Sequence, residues 1–228
     1  MEATRMIRTS YCKHGEVREA MGDYIYLHGF ASGPQSFKGT WLRSQFATHG
    51  IDLQLMDLNQ GDFAHLTLTR QITQVIQQLP GPTTLIGSSL GGLVAAWVTQ
   101  QSAHVERLIL LAPAFQFLNQ WLPRLSPEQL NQWESTGWLS IYHYGFQSQQ
   151  RLHYDFLTDA QRYPDSQLKK SIPTLILHGD RDEIIAAETS RLYAQHRPWV
   201  TLLTLDTDHG MTNAMAAIWP LIKDFCAL

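Results

Sequence analysis

The sequence predicts an α/β domain with a mostly parallel sheet and helices on both faces. From residue 24 onward, short apolar runs alternate with helical patterns. This alternation is typical of parallel sheets, because each strand needs a crossover helix before the next one. A turn rich in glycine and serine at residues 87–91 leads from an apolar run directly into a helical pattern. Polar residues follow the last two strand patterns, at the edge where such sheets gather their active-site groups.

The strand patterns are short apolar runs, or runs in which apolar and polar residues alternate, and they cover residues 24–27, 51–58, 83–87, 105–111, 174–177 and 200–205. The helical patterns cover residues 35–49, 66–79, 90–101, 186–196 and 211–226. Gly50 ends the first helix, and Pro80 with its neighbours ends the second. We therefore expect one domain over residues 23–228. Residues 1–22 are polar without clear periodicity, so they are predicted to form an N-terminal extension or an edge element.

Residues 87–91 read Gly-Ser-Ser-Leu-Gly, which matches the Gly-x-Ser-x-Gly pattern of a nucleophile elbow. Only Ser89 has a glycine both two residues before it and two residues after it. The sharp turn from strand to helix holds such a serine in a strained backbone conformation. Side chains at Gly87 or Gly91 would collide with the neighbouring backbone. The pattern and its context therefore predict that Ser89 is a nucleophile above the edge of the sheet.

Two further groups are needed, because a serine hydroxyl requires a base and the base requires an orienting partner. His209 follows the strand pattern at 200–205, and Asp182 follows the one at 174–177. We predict that His209 is the general base and then the general acid, and that Asp182 orients it. The chain order serine, aspartate, histidine is the one expected for this kind of sheet. Four nearby carboxylates remain alternatives to Asp182, namely Asp180, Glu183, Asp206 and Asp208.

An oxyanion hole also needs two backbone amides. The amide of Leu90 is predicted as one donor because it follows the nucleophile. The amide of Phe30 is predicted as the other, since it leaves the first strand pattern and Gly29 lets the backbone turn inward. His28 is expected to brace this loop through hydrogen bonds, and His178 is expected to have the same structural role in its own loop.

Residues 115–171 interrupt the alternation of strands and helices and are predicted to form an inserted cap. A serine followed by proline at 126–127 marks the start of a helix within it. The insertion is rich in aromatic residues, which suits a cap that excludes water and lines an acyl pocket. Most of these rings are expected to pack the cap against the sheet. The residues predicted to line the pocket are Phe117, Trp121, Trp138 and Tyr142.

These motifs together resemble the α/β-hydrolase superfamily and, within it, the small bacterial esterases of the YqiA type. The matching residues are Leu-His-Gly-Phe at 27–30, then Ser32, Pro34, Ser36 and Lys38, the elbow at 86–92 and the Asp-His-Gly sequence around His209. The resemblance runs from about residue 24 to the C-terminus. It implies an α/β-hydrolase fold and esterase activity on short or medium acyl esters. The middle of the chain is longer than in that family, and residues 137–140 and 154–156 are weakly similar to the cap of hydrolases that act on acyl thioesters or acyl glucuronides.

Composition excludes several other classes of function. The 228 residues include 17 basic and 20 acidic side chains, a net charge of −3 with no basic patch, so nucleic acid is not expected as a partner. The longest apolar run, residues 108–112, is far too short to span a membrane. The first residues lack the apolar core of a secretory signal, and a cytoplasmic location is expected.

Neither a metal nor a cofactor is expected. The 10 histidines are dispersed without the paired spacing of metal ligands. Cys12 and Cys226 lie near opposite ends and are expected to be free thiols in a reducing compartment.

The sequence thus predicts a serine hydrolase that cleaves carboxylic esters through an acyl-enzyme intermediate. Its expected substrate is a small-molecule acyl ester or thioester, and the sequence leaves the oligomeric state open. Other chemistries that use the same three residues remain alternatives: thioesterase, lactonase, peptidase, haloperoxidase and hydroxynitrile lyase. A protein that uses this fold only to bind a ligand is the alternative from another class, and it would have no need of both a serine and a histidine.

Overall fold

A computed structural model describes residues 23–228, so the prediction for residues 1–22 lies outside the described residues. The strands of the described part are β1 (Asp23–Leu27), β2 (Leu53–Met56), β3 (Thr83–Ser88), β4 (Val105–Leu111), β5 (Trp138–His143), β6 (Ser148–His153), β7 (Thr174–Gly179) and β8 (Val200–Leu205). Six of these strands form one sheet in the order β2-β1-β3-β4-β7-β8, and every pairing in it is parallel.

The helices are α1 (Phe37–Ala47), α2 (Leu68–Gln78), α3 (Leu90–Gln101), α4 (Phe117–Trp121), α5 (Pro127–Thr136), α6 (Asp155–Ala160), α7 (Ala187–Ala194) and α8 (Met215–Cys226). They cover both faces of the sheet, as the sequence predicts. One apolar core lies between the sheet and helices α2 and α3 and extends into the cap. The other core lies between the sheet and helices α1 and α8. Among residues 23–228, no helix has the length and apolar content that a membrane crossing requires.

Strand β1 shows how the sequence builds these two cores. Successive side chains of a strand point to opposite faces of the sheet. Ile25 and Leu27 accordingly belong to the core on the α2 and α3 side. Tyr24 and Tyr26 belong to the core on the α1 and α8 side. From Tyr24 to Leu27 the strand is therefore buried on both faces, as expected inside a parallel sheet.

Several element boundaries differ from those predicted. The last helix begins at Met215 and not at residue 211, because Met211 has a positive φ of 56° that an α-helix does not accommodate. Strand β2 ends at Met56, two residues before the predicted end, because the Asp57 carboxylate accepts a hydrogen bond from the amide of Asn59 and starts a turn. The N-cap of α1 is Ser36, so that helix begins after the predicted residue 35.

The insertion between β4 and β7 contains α4, α5, a hairpin of β5 and β6, and α6. The predicted helix start at Ser126 is confirmed, since its hydroxyl accepts from the amide of Gln129 and the Gln129 side chain accepts from the amide of Ser126. The antiparallel hairpin of β5 and β6 was not predicted from the sequence. Its signal is the aromatic and β-branched content of Trp-Leu-Ser-Ile-Tyr-His at 138–143, which favours a strand.

Candidate active site

The turn between β3 and α3 has the geometry of a strained elbow. Ser89 has φ 53° and ψ −121°, a conformation that few residues other than glycine adopt. A Cβ atom on Gly87 would lie 2.4 Å from the carbonyl oxygen of Gly91, and one on Gly91 would lie 2.3 Å from the carbonyl oxygen of Leu27. Only hydrogen fits at these two positions, so the predicted reason for both glycines is confirmed.

The three residues singled out in sequence meet at the carboxyl edge of the sheet. His209 lies between β8 and α8, and its Nε2 is 3.0 Å from the hydroxyl oxygen of Ser89. Its Nδ1 is 2.7 Å from Oδ2 of Asp182, in the turn after β7. Because an ionised carboxylate only accepts hydrogen bonds, Nδ1 carries the proton. The neutral ring then presents the lone pair of Nε2 to the serine hydroxyl.

Asp182 is held as an anion. Its side chain is fully buried. Burial raises the pKa of this carboxyl, but hydrogen bonds from His178 and His209 outweigh that effect and hold the pKa well below its usual range. The amides of Ile184 and Ile185 also donate to Oδ1, at 2.9 and 2.8 Å. The Asp182 carboxylate can therefore stay ionised and orient the imidazole of His209.

His178 has a larger part in this arrangement than the sequence analysis gave it. Its Nε2 donates to the carbonyl oxygen of Ile185 at 3.0 Å, and it lies 3.1 Å from Oδ2 of Asp182. The hydroxyl of Ser190 lies 2.7 Å from Nδ1 and donates to it when the ring is neutral. His178 thus braces its own loop, as predicted, and in addition holds the buried carboxylate. The position of a histidine at the end of a buried strand, four residues before Asp182, was the available signal.

The alternative carboxylates lie in other contacts. Asp180 pairs with Arg191, and Asp206 pairs with Arg181. Asp208 accepts a hydrogen bond from the amide of Met211, and Glu183 is exposed. Among these candidates, only Asp182 meets the imidazole of His209.

The loop after β1 passes directly over the serine. A Cβ atom on Gly29 would lie 3.2 Å from the Cβ of Ser89, so any larger residue there would push the loop or Ser89 aside. Within residues 23–228, neither the amide of Phe30 nor that of Leu90 donates a hydrogen bond to the protein. Both amides are therefore available to an oxyanion. His28 is buried, and its Nε2 accepts from the amide of Leu58 at 3.0 Å, which fits the predicted bracing role.

The cap also supports this loop, which the sequence did not predict. The carbonyl oxygen of Ala31 accepts from the amide of Tyr144 in the hairpin turn, at 2.8 Å. The next carbonyl, of Ser32, accepts from the side chain of Asn59 at 2.7 Å. The loop that carries the Phe30 amide is therefore tied to the cap on one side and to the turn after β2 on the other.

The structure brings two of the four predicted pocket residues to the Phe30 ring. The ring centroid of Trp121 lies 5.4 Å from that of Phe30, and the centroid of Phe117 lies 6.1 Å from it. Phe156, which was not predicted as a pocket residue, lies 5.3 Å from the same ring. Phe117 also lines a cavity of about 430 Å³ between α4 and α6, together with Leu118 and other residues.

Trp138 and Tyr142, the other two residues predicted to line the pocket, lie in a different position. Both residues lie on the outer face of the hairpin, because side chains at 138, 140 and 142 point away from the core while Leu139 and His143 are buried. Trp138 packs against His153 across the hairpin, and Tyr142 is 46% exposed. Neither ring contacts Phe30. The two-residue period of a strand decides which side chains of the hairpin face inward.

A family model described as an uncharacterised protein family, UPF0227, matches residues 23–226. Two similar curated proteins are the pimeloyl-[acyl-carrier protein] methyl ester esterases of Pectobacterium atrosepticum and Pectobacterium carotovorum subsp. carotovorum. Each is 30% identical over 146 residues, which are 62% of this chain and 51% of the relative. The match thus spans about half the length of these relatives.

Solved structures share the architecture over most of the chain. A putative hydrolase from Agrobacterium vitis S4 has a TM-score of 0.77 at 19% identity and covers 90% of this chain and 88% of its own. Mouse alpha/beta hydrolase domain-containing protein 10 has a TM-score of 0.71 at 23% identity and covers 89% of this chain and 90% of its own. Est1E from Butyrivibrio proteoclasticus, solved with ferulic acid, has a TM-score of 0.73 at 19% identity and covers 90% of this chain and 87% of its own. These likenesses confirm the predicted α/β-hydrolase fold.

Proposed function

Because the chain belongs to the UPF0227 family and has the α/β-hydrolase fold, we propose that it is a serine hydrolase that cleaves carboxylic esters through an acyl-enzyme intermediate. The observation that supports the proposal is a chain of two hydrogen bonds between three side chains. It runs from the Ser89 hydroxyl to the His209 imidazole at 3.0 Å and on to the Asp182 carboxylate at 2.7 Å. Both distances lie in the range required of a nucleophile, its base and the orienting group.

In the first half of the reaction, the Ser89 oxygen attacks the ester carbonyl while Nε2 of His209 takes the hydroxyl proton. The carbonyl oxygen becomes an anion and accepts hydrogen bonds from the amides of Phe30 and Leu90. The carbon–oxygen bond to the alcohol then breaks, and His209 returns its proton to the leaving alkoxide. The products of this half are a free alcohol and an ester on Ser89.

In the second half, His209 takes a proton from water, and the resulting hydroxide attacks the ester on Ser89. The same two amides stabilise the second oxyanion. Its collapse releases the carboxylic acid, and the proton held by His209 goes back to the Ser89 oxygen. Asp182 stabilises the imidazolium in both halves without becoming protonated.

Two further observations support an ester as the substrate class. The curated relatives are named as methyl ester esterases. Aromatic rings of the cap, those of Trp121 and Phe156, surround the side chain of the residue that offers the oxyanion amide. Apolar walls beside the oxyanion suit an acyl group with a hydrocarbon chain.

The proposal is tested with p-nitrophenyl acyl esters and a fluorophosphonate probe. The wild-type protein should hydrolyse the esters and bind the probe covalently. In Ser89→Ala, probe labelling should disappear and the rate should fall by a factor on the order of 10³ to 10⁶. Ser88→Ala is the matched control, because Ser88 is the neighbouring buried serine and should keep both properties. Retained turnover in Ser89→Ala would overturn the assignment.

A further inference from the structure

Lys38 lies far from His209 in the sequence, but its side chain contacts the loop that carries His209. It lies in the first turn of α1, after the N-cap Ser36. Its Nζ donates a hydrogen bond to the backbone carbonyl oxygen of His209 at 3.2 Å, across 171 positions of sequence. Lys38 is one of the residues that carry the family resemblance, and the ester-cleaving mechanism gives it no role.

The position is unfavourable for a cation. The N-terminal turn of a helix carries a partial positive charge, which repels an ammonium group. Burial lowers the pKa of Lys38 to about 8, although the carboxylates of Asp182 and Asp208 favour the charged form. A lysine that only filled space here would destabilise the fold, so its contact with the His209 loop has to offset that effect.

The contact acts at a point where the loop has no other support. Within residues 23–228, the backbone of His209 takes part in one hydrogen bond, which its carbonyl oxygen accepts from Lys38. The neighbouring residues are fixed separately. Thr207 donates to the side chain of Asn213, and Asp208 accepts from the amide of Met211. Without Lys38, the segment between these two anchors could tilt the imidazole.

We propose that Lys38 is a positioning residue for His209, whose ammonium group holds the His209 carbonyl and so keeps the imidazole in line between Ser89 and Asp182. The inference rests on the proposed function, in which His209 is the general base. A tilt of the ring lengthens the contact to Ser89 at one end and the contact to Asp182 at the other. Misplacement of a reacting group by about 1 Å can cost roughly 100-fold in rate.

The charge on Lys38 matters as well as its reach. A charged donor makes a shorter and stronger hydrogen bond to a carbonyl than a neutral amine does. As the pH rises through about 8, Lys38 loses its proton, because its pKa lies there. The charged groups that face it are the carboxylates of Asp182 and Asp208, and both favour the protonated form of the lysine. Arginine in its place would stay charged at higher pH.

The experiment compares wild type, Lys38→Met and Lys38→Arg, with Lys169→Met as the control. Lys169 is an exposed lysine, so its substitution changes the net charge equally away from the site. The first readout is the low-field proton NMR signal of His209 Nδ1–H bound to Asp182, assigned by its loss in Asp182→Asn. The second is kcat and KM for p-nitrophenyl acetate.

In Lys38→Met, the low-field signal should broaden or vanish, and kcat should fall by about 10- to 100-fold with little change in KM. Lys169→Met should behave as wild type. In wild type, the signal should weaken as the pH rises through about 8, and in Lys38→Arg it should persist. A Lys38→Met protein that keeps both the signal and kcat would overturn the proposal, and so would identical pH dependence of the signal in wild type and Lys38→Arg.

The two proposals fail in different ways. If the wild-type protein neither hydrolyses esters nor binds the fluorophosphonate, the proposed function fails, while the NMR signal still decides whether Lys38 holds the ring. The comparison of wild type with Lys38→Arg retains the cation in both proteins at neutral pH. It therefore decides the question even if Lys38→Met does not fold.

Discussion

The carboxyl edge of the sheet and the inserted cap are held together by different forces. At the edge, hydrogen bonds fix each side chain, and the Asp182 carboxylate alone accepts from His209, Ile184 and Ile185. In the cap, packed rings dominate. Trp133 is fully buried, touches the rings of Trp121 and Tyr154, and makes one hydrogen bond, to the carbonyl oxygen of Leu152.

This difference separates two kinds of task. Directional bonds are needed where a proton must move between fixed atoms. Apolar packing is enough where a surface must exclude water and accept a hydrocarbon chain. Substitutions at the edge should therefore remove turnover from a folded protein. Substitutions in the cap should change stability or acyl preference and leave the chemistry intact.

The largest effect is expected at the edge, in Asp182→Asn. An amide in place of the carboxylate favours the wrong imidazole tautomer and cannot stabilise an imidazolium, so kcat should fall by about 10⁴-fold, by analogy with other triads. Steady-state hydrolysis of p-nitrophenyl acetate measures this. The matched control is Asp206→Asn, which removes a carboxylate that pairs with Arg181 beside the site and should leave kcat unchanged. A comparable loss in the control would erase the distinction between the two carboxylates.

The next effect is expected in the cap, in Trp133→Ala. Removing this buried ring leaves a cavity, so the free energy of unfolding should fall by about 3 to 5 kcal/mol. Urea denaturation followed by circular dichroism measures this. Trp133→Phe keeps a ring and loses the bond to Leu152, so its loss should be about 1 kcal/mol. The folded fraction of both variants should keep a normal kcat on the acetyl ester. A loss of kcat as large as that of Asp182→Asn would show that the cap and the edge of the sheet do not differ in this way.

A smaller effect should separate inward from outward rings of the cap. Trp121→Ala removes a ring that packs on Phe30, so kcat/KM for an octanoyl ester should fall about 10-fold relative to the acetyl ester, through lost apolar contact. Trp138→Ala is the control, because that ring lies on the outer face of the hairpin. The ratio of rates on p-nitrophenyl octanoate and acetate measures the preference. Equal ratios in the two variants would reject Trp121 as a pocket residue.

The smallest effect concerns stability and pH. Burial raises the pKa of Asp165 to about 6, although the amide of Gln116 and the charge of Arg197 lower it. The folded chain therefore holds this proton more tightly than the unfolded chain, whose aspartates titrate near about 4. As the pH rises from about 4 to about 6, the free energy of unfolding should fall, and it should stay at the lower value above that range.

Asp165→Asn should remove this pH dependence and stabilise the protein by about 1 kcal/mol at neutral pH, since the carboxylate is only partly buried. Urea denaturation across that pH range measures it, with the exposed Asp52→Asn as the control. If the free energy of unfolding of Asp165→Asn depends on pH as strongly as that of wild type, Asp165 does not cause the dependence.

The same contrast explains what the sequence could predict. The elbow and the order of Ser89, Asp182 and His209 depend on local patterns, a strand followed by a turn, that are visible in sequence. The contact between Lys38 and His209 joins positions 171 residues apart, and no local pattern encodes it. Such a contact depends on how α1 packs beside the loop after β8.

In the cap, the sequence showed the aromatic composition but not the direction in which each side chain points. The abundance of aromatic residues predicted an apolar insertion, and the start of α5 at Pro127 had a clear capping signal. Which rings face the site depends on the register of the hairpin and on how it docks against the loop after β1. For that reason the sequence did not show that Phe156 is fully buried against Phe30, or that Trp138 and Tyr142 lie on the outer face of the hairpin.

The central claim, that Ser89 forms an ester with the acyl group of the substrate, is open to one direct measurement. Wild-type protein is mixed with a p-nitrophenyl ester, quenched in acid within the first turnover, digested, and examined by mass spectrometry. The peptide containing Ser89 should gain the mass of the acyl group, and fragmentation should locate that mass on Ser89 and not on Ser88. The Ser89→Ala protein should show no acylated peptide. Rapid hydrolysis by wild type with no acylated peptide at any time would contradict the claim.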